Sequence, residues 1–139
     1  MTRQDAKTFL NQVKDIIRIE NRILAQMKQL EDRQLTTTRS LSDMPRGSTP
    51  FTTEDYAVEM DILKRQLLYQ MKKEREAYRQ ILSVLDQLKG LEREIMIMHY
   101  LMMMTWEEIA FKVEKSYRWT QKLHSRALEK VAEIMLVHA

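Results

Sequence analysis

The sequence contains no cysteine, and its 139 residues include only two glycines and two prolines. Without cysteine the chain can form neither a disulfide framework nor a thiolate metal site. Two isolated glycines also exclude the usual glycine-rich loop that cradles phosphate. Because glycine and proline interrupt helices most strongly, their rarity in a chain rich in Leu, Met, Glu, Lys, Arg and Gln predicts an all-α protein.

Signatures of catalysis are also missing. The three histidines, His99, His124 and His138, do not have the spacing of metal ligands, and the sequence has no His-Glu-x-x-His motif. The carboxylates are mixed with basic residues on predicted exposed helix faces. We therefore expect a protein that is not an enzyme and that holds no metal and no cofactor.

The chain has no sign of a membrane segment. The N-terminus lacks an apolar signal core, and the longest apolar run, Ile95 to Thr105, is too short to span a bilayer. We expect a cytoplasmic protein with no membrane partner. Its net charge of +3 permits binding to nucleic acid but does not require it.

Two long amphipathic segments precede the C-terminal part. Apolar residues recur every three or four positions from Ala6 to Gln34 and again from Thr53 to Lys89, where Gly90 has the character of a residue that ends a helix. The stretch between them, at about residues 35–53, is rich in Thr and Ser and holds both prolines, which predicts a flexible linker. Residues 1–89 should therefore form a long antiparallel helical hairpin, similar to a coiled coil.

Two helices alone give a thin core. Pairing with a second chain, for example as a four-helix bundle, buries the remaining apolar surface better. We therefore expect residues Ala6 to Lys89 to build a homodimer or a higher oligomer.

The remaining residues, 90–139, form a separate predicted domain with two polar breaks. Thr105 followed by Glu108 has the pattern of a capping box in front of a helix of barely two turns. Ser116 is placed to cap the long helix that follows. A short helix, a turn and a long helix are the outline of a helix-turn-helix, in which the second helix enters the DNA major groove.

Apolar and basic residues lie on different sides of the long C-terminal helix. At about 100° per residue, one side carries an apolar seam, made of Thr120, Leu123, Ala127, Val131 and Ile134. Arg118, Lys122 and Arg126 lie opposite this seam, with Lys115 and Ser125 beside them. A basic stripe opposite an apolar seam suits contact with phosphates, although a solvated helix face has the same pattern.

Roles within this helix follow from position. Arg118 and Gln121 lie in its first turns, where bases are read, whereas Lys122 and Arg126 lie further along and suit phosphates. Trp119 lies between the basic and apolar sides, so it either contacts the DNA backbone or covers the core. His124 lies at the edge of the seam and is expected to be buried. The predicted DNA-binding residues are Lys115, Ser116, Tyr117, Arg118, Trp119, Gln121, Lys122, Ser125 and Arg126.

A cluster of methionines precedes the short helix, at Met96, Met98, Met102, Met103 and Met104. Methionine fills irregular gaps in a core, and it also forms adaptable surfaces for protein partners. We favour packing in the core, because the last helix needs an apolar surface on which to dock. Trp106 is expected in the same core.

These residues resemble a known family, the C-terminal helix-turn-helix (fourth region) of bacterial sigma factors and of the phage-encoded sigma-like late transcriptional activators. The shared pattern consists of Leu-Glu-Arg-Glu-Ile (91–95), His-Tyr-Leu (99–101), Thr-Trp-Glu-Glu-Ile-Ala (105–110), Ser116 and Leu-His-Ser-Arg-Ala-Leu (123–128). It covers about 40 of the 139 residues. The chain departs from it in the turn, where the family usually has glycine in place of Glu114 and an apolar residue in place of Lys115.

The resemblance implies a sequence-specific transcription regulator that binds double-stranded DNA, is encoded by a phage or prophage, and acts with the RNA polymerase of a bacterial host. A phage terminase small subunit would use the same parts to mark DNA for packaging. A third interpretation is a coiled-coil module that binds only protein. Two features keep it open: the unusual turn, and the balanced charge of residues 90–139, which have seven basic and seven acidic side chains.

Overall fold

The computed structural model describes residues 2–39 and 51–137, and within them the protein contains six helices and no strand. In chain order these are α1 (Arg3–Leu10), α2 (Gln12–Arg39), α3 (Thr53–Leu85), α4 (Gly90–Tyr100), α5 (Trp106–Lys112) and α6 (Tyr117–Val137). The predicted all-α class is confirmed. The predicted linker is helical up to Arg39, and residues 40–50 lie outside the described part of the chain.

The first helix differs from its prediction. Instead of one helix from Ala6, the chain begins helical structure at Arg3 and breaks at Asn11, which ends α1. The Asn11 backbone N–H still donates to the carbonyls of Lys7 and Phe9. The Asn11 carbonyl also accepts the Asp15 N–H at 3.0 Å, so backbone hydrogen bonding continues from α1 into α2.

The helices divide into two compact units, one of Met1–Ile16 with Lys73–Ala139 and the other of Ile17–Lys72. Neither unit begins or ends at the predicted boundary between residues 89 and 90. The reason is that α1 packs against α6, with Ala6 and Leu10 fully buried. The N-terminal helix is therefore part of the same compact body as the C-terminal helices.

The joint between α3 and α4 also differs from the prediction. α3 ends at Leu85, before the expected end at Lys89. A tight turn follows, in which the Leu88 N–H donates to the Leu85 carbonyl at 3.0 Å. Gly90, with φ of 60°, opens α4 and does not cap α3. Arg93 of α4 donates to Asp86 from Nη2 at 2.6 Å, which ties the joint together.

The core of the first unit draws on all six helices. Its fully buried side chains are Leu10, Val13, Ile81, Leu85, Ile95, Met96, Ile109, Thr120 and Val131. Each large aliphatic side chain removed from water contributes about 1.5–3 kcal/mol to the free energy of unfolding. This core fixes the position of α6 in the unit.

The second unit joins parts of α2 and α3. A small core of Leu30, Phe51 and Met60 lies within it, and the Arg33 guanidinium lies 4.2 Å from the centre of the Phe51 ring. Several large apolar side chains of the same unit stay exposed, among them Leu24, Val58 and Tyr69. In the described part of the chain, no helix combines the length and the apolar character that crossing a membrane requires.

Candidate nucleic-acid interface

The short helix α5 begins at the predicted cap. The Thr105 hydroxyl accepts a hydrogen bond from the Glu108 backbone N–H at 3.2 Å and donates to the Glu108 carboxylate at 3.0 Å. In a full capping box the Glu108 carboxylate accepts a hydrogen bond from the Thr105 backbone N–H. Here it accepts from the Thr105 hydroxyl instead. Glu107 and Glu108 lie in the first turn, where the helix dipole favours acids.

The turn between α5 and α6 keeps a regular geometry without glycine. The Glu114 N–H donates to the Phe111 carbonyl at 3.2 Å, and the Lys115 N–H donates to the Ala110 carbonyl at 3.0 Å. This pair of bonds is a Schellman motif, whose residue after the cap is left-handed. Glu114 has φ of 58°, so it adopts the backbone conformation that glycine adopts at little cost.

The predicted cap of α6 is confirmed. The Ser116 hydroxyl accepts the Trp119 backbone N–H at 3.0 Å. The Ser116 carbonyl accepts both the backbone N–H of Thr120, at 3.1 Å, and its hydroxyl, at 2.9 Å. These bonds fix the start of α6 immediately after the turn.

The buried side of α6 is rotated from the predicted seam. Its buried residues are Thr120, His124, Ala127, Leu128, Val131 and Ala132. Leu123 and Ile134, which were predicted in the seam, are only half-buried. Besides α4 and α5, α1 also packs against α6 and covers additional surface.

A hydrogen bond between α4 and α6 anchors the buried side. The Tyr100 hydroxyl lies 2.7 Å from Nε2 of His124. Burial, together with the neighbouring His99, Lys7 and Lys14, lowers the pKa of His124 to about 4. Burial also raises the pKa of Tyr100. The imidazole is therefore neutral near pH 7, and the tyrosine hydroxyl donates to it.

His99 forms a second link, between α4 and the start of α2. Its Nδ1 donates to the Met104 carbonyl at 2.9 Å, and its Nε2 accepts from Lys14 Nζ at 3.1 Å. Its ring stacks on Trp106 with centroids 4.0 Å apart, and Trp106 also lies 4.3 Å from the ring of His124. Burial lowers the pKa of His99, and the Lys14 charge lowers it too, whereas the hydrogen bond to the Met104 carbonyl raises it.

The basic stripe remains free. Arg118, Lys122 and Arg126 are exposed, and none of them lies within 4.0 Å of a carboxylate in the described ranges 2–39 and 51–137. By contrast, Lys130 is paired with Glu92 of α4 at 2.6 Å. The free cations of α6 are thus the three at its N-terminal end and centre.

The other predicted DNA-binding residues differ in exposure. Lys115, Ser116 and Tyr117 are exposed, whereas Trp119, Gln121 and Ser125 are half-buried. Lys115 Nζ lies 5.4 Å from the centre of the Trp119 ring, a cation–π arrangement. The Gln121 amide nitrogen is buried without a hydrogen-bond partner, so contact with a base requires a change of rotamer. Its role in base reading stays a prediction.

The methionine cluster is divided between core and surface. Met96 is fully buried, whereas Met102 and Met103 are exposed. Met103 has φ of 62°, in the loop that precedes α5. Packing in the core is therefore correct for Met96 and wrong for Met102 and Met103.

A surface that the sequence analysis missed lies on α5. Phe111 is 88% exposed, the highest value among the large apolar side chains of the described residues. It lines a shallow groove with Met104, Glu107, Glu108 and Lys112. The signal in the sequence was that Ile109 and Ala110 supply the buried side of this short helix, which leaves Phe111 on the other side.

Comparison with known proteins agrees with this geometry. Residues 78–131 match the family model described as sigma-70, region 4, which confirms the resemblance stated above. No curated protein and no solved structure gives a significant match. The matched residues run from the last part of α3 into α6, so α1 and α2 lie outside them. A helix-turn-helix of this family indicates DNA-binding regulation of transcription.

Proposed function

Starting from a sigma-70 region 4 helix-turn-helix at residues 78–131, we propose that this chain is a sequence-specific transcription regulator and not an enzyme. In this proposal it is encoded by a phage or prophage and acts on double-stranded DNA with the RNA polymerase of its bacterial host, in the cytoplasm. The observation that carries the proposal is the exposed stripe of Arg118, Lys122 and Arg126 on α6.

The stripe suits DNA because none of its three cations forms an ion pair with a carboxylate of the described residues. Contact with a phosphate therefore releases counterions without first breaking an ion pair of the protein. Arg118 lies in the first turn of α6, and its guanidinium can donate two bonds to guanine. Lys122 and Arg126 follow at intervals of one turn and suit phosphates.

The first prediction separates these two roles. With Lys115 included, about four cations per subunit give a slope of log affinity against log salt near −3.6. Lys122→Ala should weaken binding to all duplexes and reduce the slope by about one unit per subunit, because a phosphate contact carries no sequence information. Arg118→Ala should instead cost about 1–3 kcal/mol and relax the preference at one base position.

The measurement is a titration of each variant against cognate and scrambled duplexes at several salt concentrations. Lys28→Ala is the matched control, because it removes one exposed lysine charge in the other compact unit. If neither α6 variant alters DNA affinity, the stripe is only a solvated face. The interpretation as a module that binds only protein is then preferred.

The groove around Phe111 supports contact with RNA polymerase. An exposed aromatic side chain beside Met104 offers apolar area to a partner. Glu107 and Glu108 repel DNA phosphates, so this surface fits a protein better than a nucleic acid.

The second prediction therefore concerns Phe111→Ala. We expect weaker binding to the host RNA polymerase core enzyme, because the variant removes the main apolar contact, and unchanged affinity for duplex DNA. Biolayer interferometry measures both. Leu136→Ala, which truncates an exposed apolar residue of α6, is the control. Unchanged polymerase binding in Phe111→Ala would remove this groove from the proposal.

Self-association through the long helices is also part of the proposal. Its support is the set of apolar side chains that unit Ile17–Lys72 leaves exposed, which comprises Leu24, Leu35, Val58, Ile62, Leu68, Tyr69 and Met71. A hairpin of two helices cannot cover these side chains by itself, whereas a second copy can.

A further inference from the structure

One acidic residue lies on the basic side of α6. Glu129 is the only acid between Lys115 and Lys130. At about 100° per residue, its direction around the helix axis lies between those of Arg118 and Lys122, about 20° from each. Its carboxylate therefore faces the same direction as the stripe, and an unpaired carboxylate there would repel DNA phosphates.

Glu129 is paired with Arg3 of α1. The ion pair joins Nη2 of Arg3 to Oε1 of Glu129, and both side chains are about half exposed, at 56% and 53%. A guanidinium has five N–H donors, so this one pairing leaves most of them available to another acceptor. Arg3 lies outside the residues that match the family model.

Two sets of contacts fix the position of α1 and therefore of Arg3. On one side, Ala6 and Leu10 are fully buried in the unit that contains α6. On the other, Thr2 caps the helix, since its N–H donates to the Asp5 carboxylate at 2.8 Å and its hydroxyl accepts the Asp5 N–H at 3.2 Å. Arg3 is the first residue of this capped helix, so its backbone position is fixed.

We propose that Arg3 is a phosphate-binding residue of the DNA interface, supplied by α1 and held in place by Glu129. The inference rests on the proposed DNA-binding function and extends it to a helix outside the matched family residues. Arg118, Lys122, Arg126 and Glu129 together carry a charge of +2, and Arg3 raises it to +3. Arg3 thus cancels the repulsion from Glu129 and supplies one more donor group for the DNA backbone.

The test uses the full chain and a labelled duplex of scrambled sequence, titrated from roughly 50 to 200 mM salt. Arg3→Ala should weaken binding about tenfold, because it removes a charged hydrogen bond and exposes Glu129. The salt slope should fall by about 0.9 per subunit. Arg65→Ala is the matched control, since Arg65 is an exposed arginine paired with Asp61 at 3.0 Å in the other unit, and it should leave the slope unchanged.

Two further variants separate the phosphate contact from a structural role. Arg3→Lys keeps the charge and should keep the slope. Adding Glu129→Gln to Arg3→Ala should recover part of the affinity but not the slope, because it removes only the repulsion. The melting temperature of each variant is measured in parallel, and a loss of affinity that follows a lower melting temperature with an unchanged slope would overturn the inference.

The outcomes also separate this inference from the proposed function. Wild-type affinity and slope in Arg3→Ala, with both reduced in Lys122→Ala, would exclude Arg3 from the interface and leave DNA binding by α6 intact. If both variants bind as the wild type does, the proposed function fails and the inference fails with it.

Discussion

Glu114 departs from the family pattern in residue type, since glycine is usual there, but its backbone adopts the conformation that the turn requires. The sequence indicated that a residue other than glycine occupies the turn, and glycine is the residue that adopts positive φ freely. The structure keeps both hydrogen bonds of the Schellman motif and places Glu114 at φ of 58°. The backbone bonds and the packing of the two helices therefore outweigh the cost of one left-handed residue.

The third prediction follows from that cost. Glu114→Gly should raise the free energy of unfolding by up to about 1.6 kcal/mol. It relieves about 1–2 kcal/mol of left-handed strain and gives back about 0.4–1 kcal/mol through the more flexible unfolded chain. Urea denaturation measures the change. Glu133→Gly, at an exposed helical position of α6, is the control and should lower stability by about 1 kcal/mol. Equal destabilisation by both variants would contradict strain at Glu114.

At the scale of the helices, local signals were readable and distant contacts were not. The caps at Thr105 and Ser116 depend on residues three positions away, so the start of α5 and of α6 could be predicted from sequence. The packing of α1 on α6 joins residues more than a hundred positions apart. Ala6 and Leu10 also fit a continuous amphipathic helix, so only the tertiary structure distinguishes the break at Asn11.

The fourth prediction concerns the junction of α4 and α6. The folded pKa of His124 is about 4, below the value of 6.5 for an exposed imidazole, so the unfolded chain takes up its proton first as pH falls. The associated stability is fully present above about pH 6.5 and is lost as pH falls toward 4, by up to about 3 kcal/mol. The lowered pKa of His99 acts in the same direction.

Urea denaturation from about pH 7.5 down to about pH 4.5 measures this dependence. His124→Gln keeps an acceptor for the Tyr100 hydroxyl but cannot take up a proton, so its stability should fall less steeply over the same range. Identical pH profiles for the wild type and this variant would contradict a buried neutral imidazole at His124.

At the scale of the molecule, the net charge says little about where DNA binds. The chain carries only +3, and residues 90–139 are balanced, yet α6 presents three cations without a carboxylate partner in the described part of the chain. The stripe could be predicted from sequence because helical periodicity alone places its members. The pairing of Lys130 with Glu92 and of Arg3 with Glu129 could not, because each pair joins different helices.

The last prediction concerns assembly. On α3, Val58, Ile62 and Tyr69 lie within about 40° of one another around the helix axis, and each is about half exposed or more. Met60, on another side of the same helix, is buried in the small core of its unit. A second apolar stripe on a helix that already buries one favours a partner helix, and a second copy provides it.

Light scattering at micromolar concentration should therefore give a mass at least twice the 16.7 kDa of one chain. Ile62→Glu should reduce that mass toward a single chain, because it places a charge in the centre of the stripe. Ala25→Glu adds the same charge at an exposed position of α2 and should leave the mass unchanged. A wild-type protein that scatters as a monomer would exclude self-association, and the salt slope for DNA would then be that of a single chain.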